Sequence, residues 1–297
     1  MSSQGQGSGM PRASITVAVA EASSPVGRAV VEALLVARTR REPWETPVAL
    51  GPARDAGVRA TWRTADLDTP NLARALDGVD ALVWSAAATD LESTLSVSPQ
   101  RRRDRVTARA RAIVTSAAAA QVPRLVVVTS AMVYGAAPDN PVPLPEEAPL
   151  NAVGEGGIVG DLLAVEEVVA QARLVHPGLT ITVIRPAALV GPAVDTIVTR
   201  HFEAPRLLTV KGANPAWQFC HVADLGSAVL AVIRHGLGPV VTAGSEGYLT
   251  QEQVEARTGM RRVELSASAA LGTAQRLHRF GVLPAPASEL ALAIHPW

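Results

Sequence analysis

Three side chains in this sequence stand where polar chemistry is feasible. Ser130 closes the apolar run over residues 125–130 (LVVVTS), and Tyr134 follows it four residues later. A hydroxyl ending a buried strand can orient a substrate oxygen, and a phenol close by in the chain can turn inward to move its proton. Asp161 is the third, set between Ile158 and Leu162 in GGIVGDLLAVEEVV. On a helix Ile158, three residues before, shares its face, and the two apolar residues would partly desolvate the carboxylate, raise its pKa and make it a proton donor near neutrality. A plainer reading also holds: an acid in a first helical turn stabilises the helix dipole. Glu155, in a Gly-rich loop, is a weaker candidate. A second constellation lies over residues 15–36, ITVAVAEASSPVGRAVVEALLV. Its β-branched start reads as a buried strand, Ala22, Ser23 and Ser24 as a tight turn, and Val26 and Gly27 as the head of an apolar helix. Free amides at such a helix start attract an anion, so the turn can receive a phosphate. Glu21, at its head, would set a negative charge beside that phosphate.

The elements that must position these residues alternate. Residues 47–50 read as a short strand, 58–62 as a third that leads to Asp66 and Leu67, and 70–77 as a helix. The segment 80–87 (DALVWSAA) reads as a buried strand running into Ala86. An Ala-rich helix over 107–120 precedes the 125–130 strand; a helix over 157–174 and a strand over 179–184 follow. Continuous apolar strands of this kind are buried on both faces of a parallel sheet. The expected class is therefore α/β, a Rossmann-like doubly wound parallel sheet with a small C-terminal substrate lobe. The expected division is a disordered Gly/Ser/Gln tail over 1–12, a dinucleotide-binding domain over 13–190 and a partly interleaved lobe over 191–297.

Composition narrows the partners. Twenty-seven basic and 27 acidic residues cancel, which argues against nucleic acid, and no apolar run is long enough for a membrane span. The tail lacks the basic and apolar parts of a signal peptide, and the single Cys220 excludes an internal disulfide and fits a reducing cytoplasm. Six arginines between Arg101 and Arg111 read as a solvated helix face rather than a phosphate patch. No Cys/His cluster has metal spacing, so no metal is expected. His221 reads as a satisfied buried histidine, and Asp139-Asn140 with the prolines after it as a lid loop over the cleft.

Three segments carry a family resemblance: LVVVTSAMVYG (125–135), TITVIRPAALVGP (180–192) and FCHVADLGSAV (219–229). In this order they resemble the extended short-chain dehydrogenase/reductases, the NAD-dependent epimerases and dehydratases of nucleotide sugars, over nearly the whole chain. The resemblance implies NAD or NADP held by Ala22, Ser23, Ser24, Val26, Gly27, Asp66, Leu67 and Ala86, with Asp66 on the adenine. It implies Ser130 as the serine of the active site. It also implies a homodimer through a four-helix bundle of the helices near 104–120 and 157–174.

The departures are specific. Where the family has G-x-x-G-x-x-G, this chain has Glu21, Ser24 and Gly27; the second strand ends in Gly51 rather than an acid, with Arg54 three residues on. The family's Tyr-x-x-x-Lys pair is replaced by Ile158 and Leu162, and neither Tyr134 (Pro138 four on) nor Tyr248 (Glu252) restores it. The one lysine is Lys211. Two function classes are thus expected. One is an epimerase/dehydratase-like enzyme on a small or nucleotide-sugar-like metabolite without standard hydride transfer (a non-redox isomerase, lyase or cyclase), using Ser130 with Tyr134 or Asp161. The other is a catalytically silent nucleotide or metabolite binder acting as sensor or scaffold.

Overall fold

The computed structural model describes residues 14–152, 157–266, 269, 291–292 and 294–297. The expected tail over 1–12, and Glu155, lie outside them. The strands with the most apolar sequence form the middle of one sheet. β1 (Val17–Ala20) and β2 (Val48–Gly51) are buried throughout, and β4 (Ala81–Ser85), β5 (Arg124–Val128) and β6 (Thr180–Pro186) nearly so. With the edge strands β3 (Thr61–Thr64) and β10 (Val240–Ala243) they give the order β10-β6-β5-β4-β1-β2-β3, every pair parallel. This is the doubly wound arrangement, whose carboxyl edge is where such folds bind ligands.

β3 lies three residues beyond its expected place. As an edge strand it is only half covered, so its own residues carry no apolar run, while the apolar Val58 is buried in the preceding loop.

Helices cover both faces. α1 (Pro25–Thr39) and α7 (Val222–His235) share one core with β1, β4 and β5. They approach so closely that a Cβ on Gly226 would lie 2.6 Å from the Ala29 carbonyl oxygen. The opposite face is covered by α2 (Leu72–Ala75), α4 (Pro99–Ala119) and α5 (Gly157–Val175). α4 starts eight residues earlier than its apolar pattern indicates. Ser98 and Pro99 are helix-start residues, and the arginines that follow form the first turns.

The remaining chain is smaller: α3 (Leu91–Leu95), β7 (Ala188–Val190) paired with β9 (Phe219–His221), α6 (Ile197–Glu203), β8 (Leu207–Val210) paired with β11 (Arg262–Leu265), and α8 (Gln251–Thr258). Its core gathers Ala188, Val198, Leu207, Trp217 and Val254. Between these pieces, α7 and β10 return to the main sheet.

Candidate functional site

The turn between β1 and α1 is built by two residues. The Ser24 hydroxyl caps α1 by accepting from the Gly27 amide at 3.0 Å, and Pro25 occupies the first turn, where no amide partner is needed. Gly27 is obligatory: a Cβ there would collide with the Glu21 carbonyl oxygen and come within 2.8 Å of Ala22 Cα. Ala22 and Val26 are buried in the core, so only their backbone faces a ligand. The Ser23 carbonyl accepts from Arg28 Nε at 3.0 Å.

Glu21 itself takes φ +53°, the left-handed region that favours glycine. Its carboxylate turns away from the helix start. Oε2 accepts from the Trp84 indole at 3.0 Å, and Oε1 is ion-paired to Arg109 of α4. The same guanidinium holds both Asp68 oxygens, at 2.6 and 2.9 Å, and its hydrogen bond holds the Asp68 carboxyl below its ordinary range. The uncompensated charge expected beside a phosphate is therefore neutralised by a residue 88 positions away. Nearby, at the end of β3, the exposed Asp66 accepts from the Asp68 amide at 3.0 Å, and Leu67 is buried beside it.

A cleft of about 300 Å³ opens from this turn along the carboxyl edge. Glu21, Ser24, Trp84, Ser85 and Ala86 form one wall; Arg102, Arg105 and Arg109 of α4 and Ile158, Asp161 and Leu162 of α5 form the other. Asp161 is the only acid between the two apolar residues, and it is committed. Its Oδ2 is ion-paired to Arg102, and Arg103 Nε lies 3.5 Å from Oδ1. Asp161 and Arg102 retain 8% and 11% side-chain exposure, so this pair is nearly dry.

Ser130 and Tyr134 are not among the residues lining that cleft. The Ser130 hydroxyl accepts from the Met132 amide at 3.2 Å and caps a short 3₁₀ turn over Ala131–Tyr134. Tyr134 is 1% exposed, and its hydroxyl donates to the Glu146 carbonyl at 3.1 Å. The Arg185 guanidinium sits 4.8 Å above its ring, and burial pushes the phenol above its ordinary pKa. Arg185 in turn grips Glu166 at 3.0 and 2.5 Å, and the Thr129 hydroxyl donates to the same carboxylate at 2.8 Å. Tyr134 is thus part of a buried brace joining β5, α5 and β6.

Other candidates resolve simply. His221 is exposed rather than buried, because it ends β9 and caps α7, its Nδ1 accepting from the Ala223 amide at 3.2 Å. The Cys220 thiol is buried and pushed up to about 12. Asn140, in the expected lid loop, donates to the Gly135 and Pro296 carbonyls at 2.7 and 2.8 Å and ties that loop to the last residues. No group of three or more His, Cys, Asp or Glu suited to a metal occurs among the described residues, and no helix there is long and apolar enough to cross a membrane. Sequence reasoning missed Arg102, Arg109, Trp84 and Glu166. Only the helix-start signal at Ser98-Pro99, which brings the arginine run into α4, offered a way to find two of them.

The residues fit one half of a dinucleotide. The tight turn, the capped helix start and Asp66 suit a pyrophosphate and an adenosine. The half that would carry a nicotinamide meets Ile158, Leu162 and an ion pair, with no phenol or ammonium to hold its ribose.

A family model described as NAD(P)H-binding matches residues 22–206. Among solved structures, a UDP-N-acetylglucosamine 4-epimerase from Methanobrevibacter ruminantium M1, in complex with UDP-N-acetylmuramic acid, is similar at TM-score 0.68, 14% identity and 86% coverage of each chain. The Bordetella bronchiseptica enzyme WbmH, in complex with NAD+, is similar at TM-score 0.62 and 19% identity over 95% of this chain and 97% of that one. DesIV, a dTDP-glucose 4,6-dehydratase from Streptomyces venezuelae with NAD bound, is similar at 0.65 and 20%, covering 85% of each chain. An uncharacterized protein of Mycobacterium tuberculosis is 27% identical over 203 residues, 68% of this chain. The chain spans about half, 54%, of the length of that curated relative.

Proposed function

Because this chain belongs to the NAD(P)H-binding family, whose model spans more than half of it, and has the fold of the extended short-chain dehydrogenase/reductases, we propose that it binds NAD or NADP at the β1–α1 turn and acts on a small or nucleotide-sugar-like metabolite without hydride transfer. One observation supports this reading: the cleft wall formed by α5 offers the apolar Ile158 and Leu162, the positions the resemblance gives to the family's phenol and ammonium, beside an Asp161–Arg102 ion pair. The UDP-N-acetylmuramic acid bound by a solved structure with the same fold supports the substrate class.

The chemistry is then a non-redox isomerisation, elimination or cyclisation. The Asp161 carboxylate takes up or returns a proton once the Arg102 guanidinium releases the carboxylate, and Ser130, outside the cleft lining at the carboxyl end of β5, orients the part of the substrate that extends past the cleft. Losing a positioned acid/base of this kind lowers turnover about a hundred- to ten-thousand-fold. A second reading, a silent binder that senses a nucleotide, is favoured by one fact: both cleft carboxylates, Glu21 and Asp161, are held in ion pairs. The molecule works as an isologous homodimer through α4 and α5, and Leu174 and Val175, exposed at the end of α5, suit such a face. Light scattering at micromolar concentration should give twice the chain mass; a monomer mass would overturn the dimer.

Native mass spectrometry of the purified protein, paired with nicotinamide absorbance during incubation with nucleotide sugars, tests the main reading. A retained dinucleotide with no change in its oxidation state supports it. Steady interconversion of oxidised and reduced cofactor would refute it.

A further inference from the structure

We propose that the α4 side of this cleft is a subsite for a small hydroxylated anion, its phosphate or carboxylate bound by Arg105 and Arg102 with the Ser85 hydroxyl. The inference deepens the reading above and rests on it. Arg102, Arg105 and Arg109 follow one another at spacings of three and four, so α4 presents them on one face, and all three line the cleft. Arg109 is spent on Glu21 and Asp68. Arg105 is exposed and makes no ion pair among the described residues, acting on Asp68 only through space. It is the cation of the three whose donors are open to a ligand.

Unmet hydrogen-bonding groups lie beside it. Arg102 gives its Nε to Asp161, yet its Nη2 is buried without an acceptor. Ser85, at the end of β4, also has a buried hydroxyl with no hydrogen-bond partner, and Asp161 Oδ1, 3.5 Å from Arg103 Nε, accepts no hydrogen bond. Buried polar groups are nearly always satisfied, and a guanidinium N–H left unpaired is among the costlier exceptions. Three such atoms around one cleft call for a ligand that brings both kinds of partner. Anionic oxygens satisfy Arg102 Nη2 and Arg105, and bidentate acceptance suits a planar guanidinium. A neighbouring ligand hydroxyl satisfies Asp161 Oδ1 by donating to it. An anion without hydroxyls leaves that acceptor unmet, and a neutral polyol leaves both arginines unmet.

Four probes separate these cases in calorimetric titrations of the full chain: ribose 5-phosphate, gluconate, ribose and inorganic phosphate. One or both of the first two should bind at least tenfold more tightly than ribose and than inorganic phosphate, and whichever of them leads identifies the anion as phosphate or carboxylate. Arg105→Gln should weaken that binding about ten- to hundred-fold. Ser85→Ala should weaken it less. Arg111→Gln, an exposed position on the same helix outside the cleft, should leave it unchanged. Equal binding of all four probes, no binding of the first two, or indifference to Arg105→Gln would overturn the subsite. Nicotinamide absorbance followed in the same samples reports on hydride transfer separately, so failure of the functional reading and failure of the subsite are distinct results.

Discussion

Replacing Asp161 with Asn tests the cleft and the stability of the fold together. The substitution keeps the shape of the side chain and removes its charge, leaving Arg102 nearly buried beside a neutral amide. Arg102 and Asp161 are 11% and 8% exposed, so the pair falls in the buried class, where removal of one partner costs about 3–5 kcal/mol. The contact from Arg103, 3.5 Å long and 39% exposed, contributes little beyond that. Arg102 borders the cleft, where water reaches it more easily than in a closed core, so the expected loss is about 3 kcal/mol, the low end of the range. With a urea dependence of about 3 kcal/mol per molar for a chain this size, the midpoint should fall by about 1 M. Urea titration followed by far-ultraviolet circular dichroism measures it. The double variant Arg102→Leu/Asp161→Leu should recover most of the loss, because removing both charges also removes both desolvation costs. A midpoint shift below about 0.3 M, or a double variant as unstable as the single one, would refute the argument.

Other expectations follow from the same geometry. Gly27→Ala should destabilise by about 1–3 kcal/mol, since the atoms its methyl meets are backbone and cannot rotate away; an unchanged thermal midpoint would contradict the turn described above. Tyr134→Phe should lose only about 1 kcal/mol, one hydrogen bond to a carbonyl, with turnover intact; a hundredfold rate loss would return the phenol to the chemistry. His201 packs in parallel against Trp217 and edge-on to Phe202, and burial lowers its pKa from the ordinary 6.5. The unfolded chain therefore takes up this proton first, so the stability is fully present above about pH 6.5 and is lost as pH falls through the lower folded value. Urea midpoints from pH 8 to 5 should decline in the wild type and flatten in His201→Phe; equal slopes would remove His201 as the cause.

Most of the fold was legible because the buried parallel strands are also the most apolar segments. The runs in β1, β4, β5 and β6 leave little choice of partner or class. β3 was displaced because an edge strand needs no apolar pattern, and the start of α4 because arginines facing a cleft look, in sequence, like arginines facing water. The site divides the same way. That Ile158 and Leu162 fall at the family's tyrosine and lysine positions came from the resemblance. What stands beside them was not legible, because Arg102 and Asp161 are 59 residues apart and Arg109 and Glu21 are 88 apart, and only the packing of α4 against α5 and the sheet brings them together. Tyr134 shows the converse: near Ser130 in the chain, yet directed by Arg185 and Glu146 into the brace.

The return of α7 and β10 to the main sheet bears on how the chain is made. During synthesis β1 and α1 leave the ribosome first, but the core that holds the apolar stripe of α1 (Val30, Val31 and Leu34) is completed only when Leu225, Val229 and Ile233 of α7 emerge about 200 residues later. Until then that stripe and the open edge of β6 stay exposed, and the wait is set by loop closure over most of the chain rather than by local helix formation. A fragment stopped at residue 190 would hold every strand around the nucleotide turn and still lack the helix that keeps α1 in place. The chain up to residue 190 should therefore not fold as a detachable module, because its core is completed from α7.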